Sequence, residues 1–344
     1  MRIFSYRNKR LIKRIGLTVL IVVLLLALLI LCRFLYLDRF VRYENGAAVF
    51  DFEQTLEPSG MEKKKLDPDQ YPFETILSPT ESEIEAASAA ARLSGYYIST
   101  NMLAKELEAV QAALRSDNDY NAIVIDVKSV YGNFYYSSKL TGAQTATADI
   151  PAIDKLIAQL CAKPGLTVIA RVPAFSDPNY ALAHQSQGLP LYSGALWTDD
   201  NGCYWMNPYS NDVQGWLVSI ALELEGLGFD EVLFDQFYFP DSDRIAWNSP
   251  DVTRQEAVLD AANSIITSLS GSKILPCFGS SDPQIAEMAH RIFISSTDAA
   301  DVAQTTEALA DAIVDPVRQI VFFTSSRDTR FQQCGVIHPL LEES

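Results

Sequence analysis

From residue 95 to the C-terminus, short apolar runs alternate with longer segments of helical periodicity, and few folds accept that pattern. Apolar runs fall at 95–99, 122–127, 166–172, 231–234, 273–278, 291–294 and 319–323, and 335–337 is the weakest of the eight. Helical segments at 102–115, 150–162, 213–227, 252–269, 284–289 and 300–314 lie between them. Asp149 is placed to cap the helix at 150–162, with Pro151 in its first turn, and Gly228 to stop the helix at 213–227. Strands that are apolar throughout are buried on both faces, as in a parallel sheet covered by helices. About eight strand–helix units over roughly 250 residues is the size of a (β/α)8 TIM-type barrel. A doubly wound sheet is the alternative. No Gly-x-Gly-x-x-Gly follows a strand, and no Walker, His-Glu-x-x-His or Gly-x-Ser-x-Gly motif is present. No cofactor and no metal are expected.

The first 92 residues read differently. Residues 1–14 form a tail with Arg2, Arg7, Lys9, Arg10, Lys13 and Arg14 and no acid. Residues 15–31 are uninterrupted apolar sequence. With Arg33 snorkelling to the interface and an apolar 34–37, the segment 15–37 is long enough to cross a bilayer. A cleaved secretory signal has a shorter core and a small-x-small site after it. The expectation is an uncleaved transmembrane signal anchor. Its basic flank puts the N-terminus in the cytoplasm and the barrel outside the cell membrane. Residues 38–92 read as a stalk, because Glu, Pro, Lys and Ser dominate 57–82 and cannot build a core. Residues 81–93 are Ala/Glu-rich and expected to be helical. The folded domain is expected over 93–344.

The net charge of −16 becomes −22 once the six basic residues of the tail are set aside. A nucleic-acid-binding domain needs a basic face, so that partner is excluded. Cys32 falls in the apolar segment. Cys161, Cys203, Cys277 and Cys334 show no metal spacing and read as single buried thiols, a Cys203–Cys334 bridge being the alternative outside the cell.

Charged groups gather at the strand ends. Asp126 and Lys128 stand at the end of the second apolar run, Arg171 at the end of the third, and Asp235 closes the fourth with Gln236 beside it. In a parallel barrel such ends surround one mouth, where barrel enzymes keep their chemistry. Either Asp126, Arg171 and Asp235 form a structural ion network, or they shift one another's pKa values for acid–base work. The connection 173–211 carries Trp197, Asp199, Trp205, Asn207 and Tyr209, a mix of rings, amides and carboxylates that suits a carbohydrate platform. The same loop could instead pack its rings on one another. Tyr131, in the run Tyr-Gly-Asn-Phe-Tyr-Tyr, offers a second platform or the turn of a short hairpin.

Four stretches, 121–135, 168–178, 194–209 and 227–240, resemble a bacterial family of glycoside hydrolase-like barrels. They contain Ile-Asp-Val-Lys, Ile-Ala-Arg, Gly-x-Leu-Trp, Trp-x-Asn-Pro-Tyr-Ser and Gly-Phe-Asp-Glu-x-x-Phe-Asp in that order. The resemblance implies a (β/α)8 glycosidase-like domain, with Asp126, Asp235 and the Trp-x-Asn-Pro-Tyr loop at its site and a polysaccharide or oligosaccharide as partner. The C-terminal half departs from the family pattern: Pro276 stands where the family carries an acid. Glycoside hydrolysis needs a second carboxyl group, and Asp282 and Asp298 are the sequence candidates. Two readings stay open: a hydrolase using Asp235, or a degenerate, non-catalytic polysaccharide-binding or envelope-assembly barrel.

Overall fold

The computed structural model describes residues 92–116, 119–247, 249 and 251–341, and the backbone of 41–44 and 47–50. The tail 1–14 and the anchor 15–37 lie outside the described residues. So does the stalk 38–92, apart from Arg92 and a two-stranded antiparallel ribbon pairing Val41–Glu44 with Ala47–Phe50. Of the helix expected at 81–93, only residues 92 and 93 are described, and they are not helical. Among the described residues no helix is long and apolar enough to cross a membrane.

The eight apolar runs become eight strands: β1 (Ser94–Ile98), β2 (Ala122–Asp126), β3 (Thr167–Pro173), β4 (Glu231–Asp235), β5 (Leu275–Phe278), β6 (Ile292–Ser295), β7 (Ile320–Phe323) and β8 (Gly335–Pro339). All pair in parallel, each with its sequence neighbours, and β8 pairs with β1 to close the barrel. The weak eighth run is thus a full strand. Its signal is faint because Gly335, His338 and Pro339 dilute the apolar pattern, while neighbours on both sides hold the backbone.

Side chains alternate in and out along each strand. The inward set includes Ala122 and Val124 of β2, Ile169 of β3, Leu233 of β4, Cys277 of β5, Phe293 of β6, Val321 and Phe323 of β7 and Ile337 of β8, which form one cluster. The outward set, including Ile123, Ile125, Val168, Val232, Phe234 and Phe278, packs under the surrounding helices. Continuing the inward parity to the strand ends places Asp126, Arg171, Asp235, Gly279 and Ser295 around the C-terminal mouth. Parity also removes the significance of Pro276. It faces outward with Phe278, so an acid there would not reach the mouth.

The helix Asn211–Leu227 ends as expected, with Gly228 at φ 97°, a left-handed conformation that a side chain would strain. Asp149 caps Ile150–Cys161 by accepting from the backbone of Ala152. Cys203, Cys277 and Cys334 are buried free thiols and Cys161 is half-buried, so Cys203 and Cys334 are not bridged.

Candidate active site

Register brings the charged strand ends together. Asp126 sits beside Arg171 across the β2–β3 pair, and Pro173 beside Asp235 across β3–β4. Arg171 therefore stands between the two acids. Its Nε and Nη2 donate to Asp235 Oδ2 at 3.0 and 2.6 Å, and its Nη1 donates to Asp126 Oδ1 at 3.2 Å. The face of Phe323 lies 5.0 Å under the guanidinium, so the cation rests on an aromatic floor.

One base thus serves two acids. Burial raises the Asp126 pKa above its ordinary value; Arg171 pulls it back and the charge of Asp235 pushes it up again. The backbone N–H of Thr100, at the start of the helix Thr100–Lys105, also donates to Asp126. The same two carboxylates push the Arg171 pKa up against its own burial, so the guanidinium stays charged.

Three cavities meet at Arg171. One, about 480 Å³, is lined by Tyr97, Asp126, Ser295, Thr297, Phe323 and Thr324 among others. A second, about 530 Å³, runs past Asp235, Gln236, Tyr238, Gly279 and Ser280. A smaller one of about 220 Å³ holds Tyr131, Lys128 and Gln236 with both acids. Gln236 follows Asp235 at φ 52°, an uncommon conformation for a residue with a side chain and of a kind found at functional sites. Gly279 makes room for the acid, because a Cβ there would stand 2.4 Å from Asp235 Oδ1.

Several expected residues have other work. Lys128 is buried and pairs with buried Asp177 at 3.0 Å, so its charge is spent inside the protein and does not hold Asp235. Tyr131 is exposed at the tip of a hairpin in which Tyr135 N–H donates to Val127 O. The Trp loop is a satellite core and not an open platform. Trp205 is only 3% exposed and Trp197 is also buried, their rings 6.2 Å apart edge to face. Asp199 accepts from Trp205 Nε1 and from the backbone of Asn201 and Cys203, so it locks the loop. Asn207 caps its own turn by accepting from Tyr209 N–H. Tyr209 is exposed, but its neighbour is Trp247 at 6.3 Å, and it lines none of the three cavities.

Asp282 and Asp298 are both engaged at helix starts. Asp282 caps the helix Pro283–Met288 and accepts from Gln255, and it lines none of the cavities that Asp235 lines. Asp298 accepts from Ala300 N–H at the next helix start. Asp126 shares both a cavity and the Arg171 guanidinium with Asp235. What the sequence reading left out is Tyr238, Phe323, Gly279 and the hydroxyls of Ser295–Thr297 and Thr324. Inward parity at strand ends is the signal that could have found Phe323, Gly279 and Ser295; Tyr238 and Thr324 lie off that parity, in the loops that follow their strands.

Residues 95–323 match the protein family described as "Putative glycosyl hydrolase domain". The chain belongs to that family. Membership makes the barrel a glycosyl hydrolase domain, of the kind that cleaves glycosidic bonds. Similar solved structures include a hypothetical protein from Ruminiclostridium thermocellum, with 25% identity over 53% of this chain and 96% of that one and a TM-score of 0.45. Ega3 of Aspergillus fumigatus, solved with galactosamine, has 12% identity over 73% and 92% and a TM-score of 0.47. The glycoside hydrolase domain of PelA from Pseudomonas aeruginosa has 16% identity over 68% and 83% and a TM-score of 0.40. A search of curated proteins finds no match.

Proposed function

We propose that this chain is a membrane-anchored, outward-facing glycoside hydrolase of a cell-envelope or environmental polysaccharide, with Asp235 and Asp126 as its working carboxyl pair. The observation that carries the reading is the single guanidinium of Arg171 between two carboxyl groups at an open barrel mouth. Glycosidases work with such a pair of carboxyl groups flanking the scissile bond. Asp126, its pKa raised, holds the proton that passes to the leaving oxygen as the C–O bond breaks. Asp235, held by two N–H donors of Arg171, is the partner that faces the positive charge growing at the sugar carbon. Water completes the cleavage. Serine and threonine hydroxyls around the cavities suit the hydroxyls of a sugar.

The basic tail 1–14 and the apolar 15–37 support an anchor with the barrel outside, the domain beginning at 93 and residues 38–92 between them. Protease treatment of intact cells should then remove the barrel; a barrel cut only after lysis would overturn that topology.

The activity test is a panel of cell-wall, capsular and secreted glycans incubated with the full chain. At least one should yield new reducing ends. A glycan that binds but is never cut would favour the non-catalytic barrel.

A further inference from the structure

The cavity that holds Asp235 does not end at Tyr238. A further cavity of about 490 Å³, close in size to the 530 Å³ one, shares Phe237, Tyr238, Ser280 and Ser281 with it. Tyr238 stands on the boundary and is 49% exposed, unusual for a large ring beside so buried a loop. Its ring is not loose. Trp205 lies 5.3 Å behind it, tilted by 48°, and Trp205 is itself pinned by Asp199 and Trp197. The Trp loop therefore acts as a buttress under one exposed ring.

The far cavity has the composition of a sugar site. Val258 and Ile285 form an apolar floor. Gln255 and Arg254 stand on its polar rim. Arg254 is stacked over Phe239 at 5.2 Å and gives one N–H to Ile245 O, which fixes the plane of its guanidinium. Asp282 has both oxygens engaged, by Gln284 N–H and by Gln255, so it orients the amide of Gln255 without reacting. A rigid ring face beside amide and guanidinium donors is the arrangement that binds a pyranose by its C–H face and its hydroxyls.

We propose that this cavity is a second sugar subsite, with Tyr238 as its stacking wall, so that the substrate is a chain running at least two units from the carboxyl pair on the β4–β5 side. The inference rests on the glycosidase reading above and adds the direction and minimum length of the bound chain. Burial, then the charges of Asp235 and Asp199, raise the Tyr238 pKa, so the phenol keeps its proton and can donate to a sugar hydroxyl.

The test uses the full chain in an Asp235→Asn background, where turnover is blocked, and calorimetric titration with ladders of one to six units from cellulose, chitin, amylose and galactan. Affinity should rise with length in at least one ladder. Tyr238→Ala should cut the long-to-short affinity ratio by about three- to tenfold, the value of one ring contact. Tyr238→Phe, which keeps the ring, should retain the ratio. A ratio unchanged by Tyr238→Ala, or lost equally in Tyr238→Phe, would overturn the subsite while leaving the glycosidase reading intact. The ladders include oligomers of any panel glycan that the wild type cuts: affinity independent of length in every ladder would overturn the subsite, while no cleavage of any panel glycan would overturn the glycosidase reading.

Discussion

The two ends of β4 carry acids of the same inward parity, and they have opposite fates. At the bottom, Glu231 is buried and accepts from Arg291 Nε at 3.0 Å, with His290 Nε2 at 3.4 Å and the Cys277 thiol donating at 3.2 Å. At the mouth, Asp235 and Asp126 share one arginine and face open cavities. Burial pushes Glu231 up, but its bonds to His290 and Arg291 win and its pKa is lowered. Burial also pushes Asp126 up, and there it wins. An acid whose pKa is lowered in the folded state stabilises the fold when ionised, and one whose pKa is raised costs stability when ionised. The bottom cluster is therefore built to hold the barrel. The mouth keeps an acid in an unfavourable state, which is the pattern of a site with work to do.

Asp126→Asn should sharpen this contrast most. It removes the proton donor, so turnover should fall about 10²–10⁴-fold. In the wild type the rate should decline as pH rises and Asp126 loses its proton, and the variant should lose that limb. The melting temperature at neutral pH should not drop, because a carboxyl group whose folded pKa is raised adds no stability there. Rate against pH and a melting scan check both.

Glu231→Gln should do the reverse. Removing one partner of a buried pair leaves the Arg291 guanidinium uncompensated and costs about 3–5 kcal/mol. In a domain of this size that lowers the melting temperature by roughly 10 °C. Turnover well below the new transition should be unchanged, since no cavity at the mouth includes this residue.

Gly279→Ala should act on the mouth with a smaller effect. Its Cβ would sit 2.4 Å from Asp235 Oδ1 and 3.0 Å from its Cα, so the carboxylate must move. A displacement near 1 Å lowers turnover by up to about 100-fold. The smallest effect is in acid. The Glu231 contribution is fully present above its ordinary pKa of 4.5 and is lost as pH falls through its lowered folded value. The stability gap between wild type and Glu231→Gln should therefore narrow below pH 4.5, as read by denaturant titration.

Much of the barrel was legible because apolar strands, caps and the Gly228 stop are local signals. Asp126, Arg171 and Asp235 were legible for the same reason: each ends an apolar run, and parity does the rest. The Trp loop was not. Its composition suits a sugar platform, but only tertiary contact shows that Asp199 turns Trp205 inward and leaves Tyr238 on top. Lys128 misled similarly, since its partner Asp177 lies 49 residues away on another loop. Asp282 and Asp298 looked free because helix capping depends on the backbone that follows.

The most direct measurement sets Asp235→Asn against Glu231→Gln on a glycan that the wild type cuts, with turnover and melting recorded on the same samples. Asp235→Asn should melt close to the wild type and lose at least about 10³-fold in turnover, within the range that removing one member of a catalytic unit costs. Glu231→Gln should melt early and turn over normally in the cold. An Asp235→Asn protein that folds and cuts at the wild-type rate would contradict the catalytic role of Asp235.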